Sequence, residues 1–189
     1  AKLASFDHEL VRLSTAEEKE EYKNTLNPKG TFPYLVTPDG SMGESLAIAR
    51  FMVNSNPDCG LYGSTVLESA FVDEIIDKHQ STFHGKFISV FPAVLGYREA
   101  KDADYKEAIK NMKDHLRAFD ELLKDKEYFV GDKLTLADLY VAISLNILMA
   151  TLVDAGFRKA IPNFTAWYER VRGHEAVVEV LGAPRLASK

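Results

Sequence analysis

The chain has 189 residues, 46% apolar and 27% charged, which is ample for one generous domain or two small ones without disulfide or metal staples. A net charge of −5, with basic and acidic residues interleaved, speaks against a nucleic-acid surface, which needs clustered Lys and Arg. No apolar run approaches the roughly 20 residues of a membrane-spanning helix. The one cysteine, Cys59, cannot pair within the chain, so a reducing, cytoplasmic setting is expected.

The start, AKLASFDHELV, lacks the pattern of a signal peptide. It also lacks an initiating methionine, so the natural chain is expected to begin further upstream. Residues 6–13, FDHELVRL, read as a short strand with alternating apolar positions near its end. STAEEKEEYKNTL follows as a helix, with Ser14 or Thr15 as N-cap and acids in its first turn. It should stop at Asn27-Pro28, because a proline disfavours helix in the residue before it. TFPYLVT is a second strand, PDGS a turn and SMGE a brief third strand, the last two strands being antiparallel. Residues 45–54 complete this part as a helix, so the first third predicts a small α/β unit.

PDCGLYG, residues 57–63, reads as a linker between a domain at 1–56 and another at 64–189. Everything after it has helical spacing. Phe71, Val72, Ile75, Ile76, His79 and Phe83 fall on one face over residues 67–84. Ile109, Met112, Leu116, Phe119, Leu122 and Leu123 repeat that period on a second helix. LTLADLYVAISLNILMATLVDA is apolar all round, as a central helix should be. IPNFTAWYERVRGHEAVVEVL predicts a final helix with a break near Gly173.

The clearest helix start is LTLADLYVA. Thr135 and Asp138 have the spacing of a capping box, and Leu134 and Leu139 that of a hydrophobic staple, a structural role with no chemistry. His79 and His84 are five apart, which does not align two metal ligands on a helix, and no metal site is expected. A dithiol motif, a phosphate loop and a Gly-x-Ser-x-Gly elbow are all missing. Phe83, Phe87, Phe91 and Tyr97 suit either a hydrophobic substrate pocket or plain helix packing.

NPKGTFPYLVTPDGSMGESLAIARFM, the linker and YFVGDKLTLADLYVA, in this order, resemble the glutathione S-transferase superfamily over nearly the whole chain. The resemblance implies a thioredoxin-like N-terminal domain and an all-helical C-terminal domain. It also implies that the Phe32–Pro33 bond is cis and that the Phe32 backbone pairs with the cysteinyl part of glutathione. Glu44 and Ser45 match the pair that receives the γ-glutamyl group, so glutathione is implied as a ligand or a substrate. AKLAS resembles the tail of the family's first helix and FDHELVRL its second strand. The first strand and the thiolate-activating Tyr, Ser or Cys are therefore expected to lie outside this chain, and Ser5, Tyr34 and Cys59 are not candidates for that vacancy.

The C-terminal stretch FRKAIPNFTAWYERVRGHEAVVEVLGAPRLASK is similar to the transferase-like domain of the elongation factor 1 gamma-subunit family. That likeness implies a scaffold that docks the guanine-nucleotide exchange subunit and associates with itself, contacting neither nucleic acid nor membrane. Two alternatives stay open: a working glutathione S-transferase acting on electrophiles, and an assembly domain of an aminoacyl-tRNA synthetase.

Overall fold

The computed structural model describes residues 1–84, 91–97, 99 and 101–188, without the side chains of His84 and Asp102. Phe87 of the aromatic set lies outside these residues. The chain divides into two units, Ala1–Tyr62 and Gly63–Lys189.

In the first unit, α1 (Ala16–Thr25) starts at Thr15, whose hydroxyl accepts from the Glu18 amide at 3.1 Å. The Glu18 carboxylate answers by accepting from the Thr15 amide at 2.9 Å. Amide donors from Thr15 and Ser14 hold the Glu18 carboxyl below the usual range. Strands β1 (Tyr34–Thr37) and β2 (Gly40–Gly43) form an antiparallel hairpin, paired from Tyr34 opposite Gly43 to Thr37 opposite Gly40. Helix α2 (Ser45–Asn54) packs against this hairpin through Leu46, Ile48 and Val53.

Residues 6–13 do not form the expected strand. Alternating apolar residues suit a strand only where a neighbour offers free backbone donors and acceptors. Among the described residues, β1 and β2 pair only with each other, and Leu10 and Val11 stay exposed.

The second unit is helical. Helix α3 (Val66–His79) runs into a wider turn at Gln80–His84 and is followed by α4 (Phe91–Val94) and the long α5 (Asp102–Leu122). Then come α6 (Leu136–Ser144), α7 (Asn146–Thr151), α8 (Ala155–Arg158), α9 (Pro162–Arg172) and α10 (Glu175–Leu181). Helix α6 packs on both α3 and α9, and α9 also packs on α5. Their interface buries Ile76, Met112, Leu116, Phe119, Phe164 and Trp167. Each such side chain contributes about 1.5–3 kcal/mol of burial.

Two expectations need correction. Phe71 is 44% exposed, at the edge of the α3 stripe rather than within it. The apolar stretch read as one central helix bends at Leu145, dividing α6 from α7. There the Ser144 hydroxyl bonds to the Val141 carbonyl at 2.9 Å, a back-bond of the kind that bends helices.

Candidate functional site

The approach to β1 is braced from below. Asn27, buried just after α1, donates to the Thr31 carbonyl and to the Tyr22 hydroxyl, both at 2.9 Å. Tyr22 in turn donates to the Thr31 carbonyl. The Phe32 ring stacks on Tyr22 with centroids 4.8 Å apart. With Thr31 held, the chain enters the Phe32–Pro33 bond, which is cis. Neither the amide nor the carbonyl of Phe32 bonds to another described residue. Tyr22 and Asn27 were not singled out by the sequence, since nothing local distinguishes a bracing tyrosine from an ordinary helix residue.

The hairpin register places the two halves of the sequence motif together. Tyr34 pairs with Gly43 at the end of the ladder, so Pro33 and Glu44 each lie one residue beyond that last pair. Glu44 holds φ 67°, a conformation that costs a side-chain-bearing residue of order 1 kcal/mol or more. Glu44, not Ser45, is the N-cap of α2, and no side chain caps that end. The contrast with α1 and α3, whose Thr15 and Thr65 each accept an amide, leaves the first turn of α2 with free donors. Ser45 is the first helical residue and exposed, so its amide and hydroxyl stand at a helix end that favours a carboxylate. Glu44 is exposed beside it and can accept from an ammonium.

A cleft of about 860 Å³ runs along β1, lined by Phe6, Leu10, Tyr22, Phe32, Pro33 and Phe51 among others. Glu44 and Ser45 do not line it. The four motif residues therefore share one end of the hairpin, while only Phe32 and Pro33 border the cleft. Of the side chains set aside for catalysis, Tyr34 bonds Ser41 at 3.0 Å. Cys59 is half-buried with its thiol 3.8 Å from the Val53 carbonyl.

In the second unit, Thr135 and Asp138 meet at the start of α6. The Thr135 amide and hydroxyl donate to Asp138 Oδ2 at 2.8 and 2.7 Å. The other oxygen accepts from the Phe129 amide at 3.0 Å and from the Trp167 indole at 2.8 Å. Burial pushes the Asp138 carboxyl up, against the pull of these donors. So Asp138 ties the loop before α6 to α9, well beyond a local cap. Asp120 does the same for α9, accepting from the Phe164 amide at 2.8 Å and from Asn163 Nδ2 at 3.2 Å. Among the described residues no group of three or more His, Cys, Asp or Glu could hold a metal ion.

The model of the "Glutathione S-transferase, N-terminal domain" family matches residues 2–58. That of the "Glutathione S-transferase, C-terminal domain" family matches residues 73–175, more than half of the chain. Probable elongation factor 1-gamma 1 of Arabidopsis thaliana is 31% identical over 171 residues, covering 87% of this chain and 41% of that protein. The chain thus spans about two fifths of the length of that relative. Glutathione S-transferase-like protein FUS3 of Gibberella fujikuroi is 30% identical over 164 residues, covering 86% of this chain and 78% of that one. Among solved structures, the GST-like domain of elongation factor 1-gamma from Saccharomyces cerevisiae superposes with a TM-score of 0.79. It covers 90% of this chain and 80% of that one at 19% identity, a likeness of fold. With a thioredoxin-like first unit and a helical second one, the chain belongs to the glutathione S-transferase family and is similar to the elongation factor 1-gamma members of it.

Proposed function

We propose that this chain is the transferase-like scaffold domain of an elongation factor 1-gamma-type subunit, docking the guanine-nucleotide exchange subunit of that complex in the cytoplasm and associating with itself. One observation carries the reading: 31% identity to an elongation factor 1-gamma runs over 87% of the chain. The buried links from Asp120 and Asp138 to α9 support it, because they make a stiff helical body suited to presenting a surface. Sedimentation velocity of this chain mixed with the purified exchange subunit tests it. One faster species at equimolar ratio is expected. Two independent boundaries at micromolar concentration would reject docking.

A second reading rests on the end of the hairpin. The unbonded Phe32 backbone, the uncapped start of α2 and the exposed Glu44 fit the three polar parts of glutathione's cysteinyl and γ-glutamyl portions. In this reading Phe32 holds the cysteinyl backbone, Ser45 and its amide the γ-glutamyl carboxylate, and Glu44 the ammonium. Such a site would orient a thiol, with conjugation to electrophiles as the activity. Calorimetric titration with reduced glutathione tests it. Heat that is lost in Ser45→Ala supports an assembled site, and no heat at millimolar ligand from folded protein removes it.

A further inference from the structure

Arg172, at the end of α9, is 1% exposed. Its Nε donates to Asn146 Oδ1 at 3.0 Å, and Nη2 donates to the Gly182 carbonyl at 3.3 Å. Its Nη1 is buried and has no acceptor. Asn146 Oδ1 is already shared with the Tyr168 hydroxyl at 3.0 Å, so it has no capacity to spare for a third donor. Among the described residues no carboxylate pairs with this guanidinium. A buried cation with an idle donor and no counter-charge is costly unless something supplies both.

The surroundings show where that supply would come from. Asn146 and Gly182, the two groups bonded by the guanidinium, both line a cleft of about 450 Å³, within the range of small-molecule sites. Arg172 lines it as well, and so does the exposed Arg185. Ile147, Leu181 and Pro184 give it hydrocarbon walls.

We propose that this cleft binds a small monocarboxylate with an apolar body, its carboxylate on Arg172 Nη1 and its tail against Ile147, Leu181 and Pro184. A single anionic charge is favoured over phosphate for two reasons. Helices α9 and α10 end at Arg172 and Leu181, and the negative ends of their dipoles oppose every anion, a dianion more than a monocarboxylate, so the smaller charge is the one the guanidinium groups can offset. The Gly182 amide is spent on the Val178 carbonyl at 2.8 Å, so it adds no donor for a third oxygen. The site belongs to the second unit alone and is independent of the glutathione reading.

Sodium octanoate, octanol and inorganic phosphate, titrated separately into the ¹⁵N-labelled protein, test this. Octanoate should give saturable shifts at Gly182 and at the Arg172 Nε–H, and octanol and phosphate should not. Arg185→Ala, at an exposed position, should weaken octanoate about fivefold. Ala150→Trp, which fills the cleft from α7, should abolish binding while leaving the circular dichroism spectrum intact. Arg172→Met, if it folds, should do the same. Failure of octanoate to saturate would overturn the proposal. So would equal binding of octanol or phosphate, or octanoate binding undiminished in Ala150→Trp.

Discussion

Asp138 receives four hydrogen bonds from Thr135, Phe129 and Trp167, and its value follows from how those donors converge. Replacement by Asn would turn an amide group towards donors and leave at least one of them buried and unmatched. Asp138→Asn should therefore cost about 3 kcal/mol in urea unfolding at neutral pH. Thr135→Ala, which leaves the Phe129 and Trp167 bonds intact, should cost about 1 kcal/mol. Equal losses in the two variants would mean that Asp138 acts only as a cap. The capping spacing of Thr135 and Asp138 could be read three residues apart. The Trp167 bond could not, because it closes across 29 residues and leaves no local pattern. Glu44 and Ser45 show the same boundary: their adjacency was readable, but the positive φ that makes Glu44 the cap depends on the hairpin register behind it.

Three helices meet at a chain of polar groups whose two histidines, His79 and His115, are buried. Thr82 and His115 Nδ1 are 3.1 Å apart, His115 Nε2 and His79 Nδ1 3.0 Å, and His79 Nε2 and the Ser144 hydroxyl 2.7 Å. The chain links the turn after α3 with α5 and α6, between the rings of Phe83 and Phe119. The Thr82 and Ser144 hydroxyls give their protons to the Lys78 and Val141 carbonyls, so each hydroxyl accepts from the imidazole beside it. Burial lowers the His115 pKa from 6.5 to about 4. The unfolded chain takes up this proton near pH 6.5 and the folded one only near 4. The contribution is therefore whole above the unfolded value and drains away as pH falls from there towards the folded one. The loss between about pH 7.5 and about pH 5 should be about 2 kcal/mol. Chemical unfolding across that range checks it, and His115→Gln should flatten the slope. A wild-type slope unchanged by that variant would place the acid sensitivity elsewhere. The entry to α3 gives a second test. Gly63 has φ +82°, and a Cβ there would lie 2.6 Å from Glu68 Cβ and 3.0 Å from the Ser69 amide. Gly63→Ala should destabilise the protein by about 2 kcal/mol or more, seen as a lowered thermal midpoint.

At the scale of the whole chain, the division into an α/β part and a helical part was readable because the periodicity changes after the Pro- and Gly-rich stretch at 57–63. The unpaired state of residues 6–13 was not, since alternation of apolar residues announces a strand without saying what it pairs with. That difference leaves the two units unequally supported. In the first, the buried apolar residues are Ala4, Tyr22, Leu46, Ile48, Val53 and Leu61, around a sheet of two strands. A two-stranded sheet is marginal by itself in water. The second unit holds the remaining buried apolar residues described, including the whole Phe119, Phe129, Phe164 and Trp167 cluster. Native-state opening follows such differences, because sparse burial and exposed backbone bonds open at lower free energy. Hydrogen exchange should therefore reach the amides of β1 and β2 well before those of α6 and α9. Limited proteolysis should cut first among residues 1–62 and leave a helical fragment beginning near Gly63. Equal protection of the hairpin and of α6 would show that something outside these buried residues completes the first unit. In that case a strand supplied along β1 in the cleft beside residues 6–13 would be the place to look.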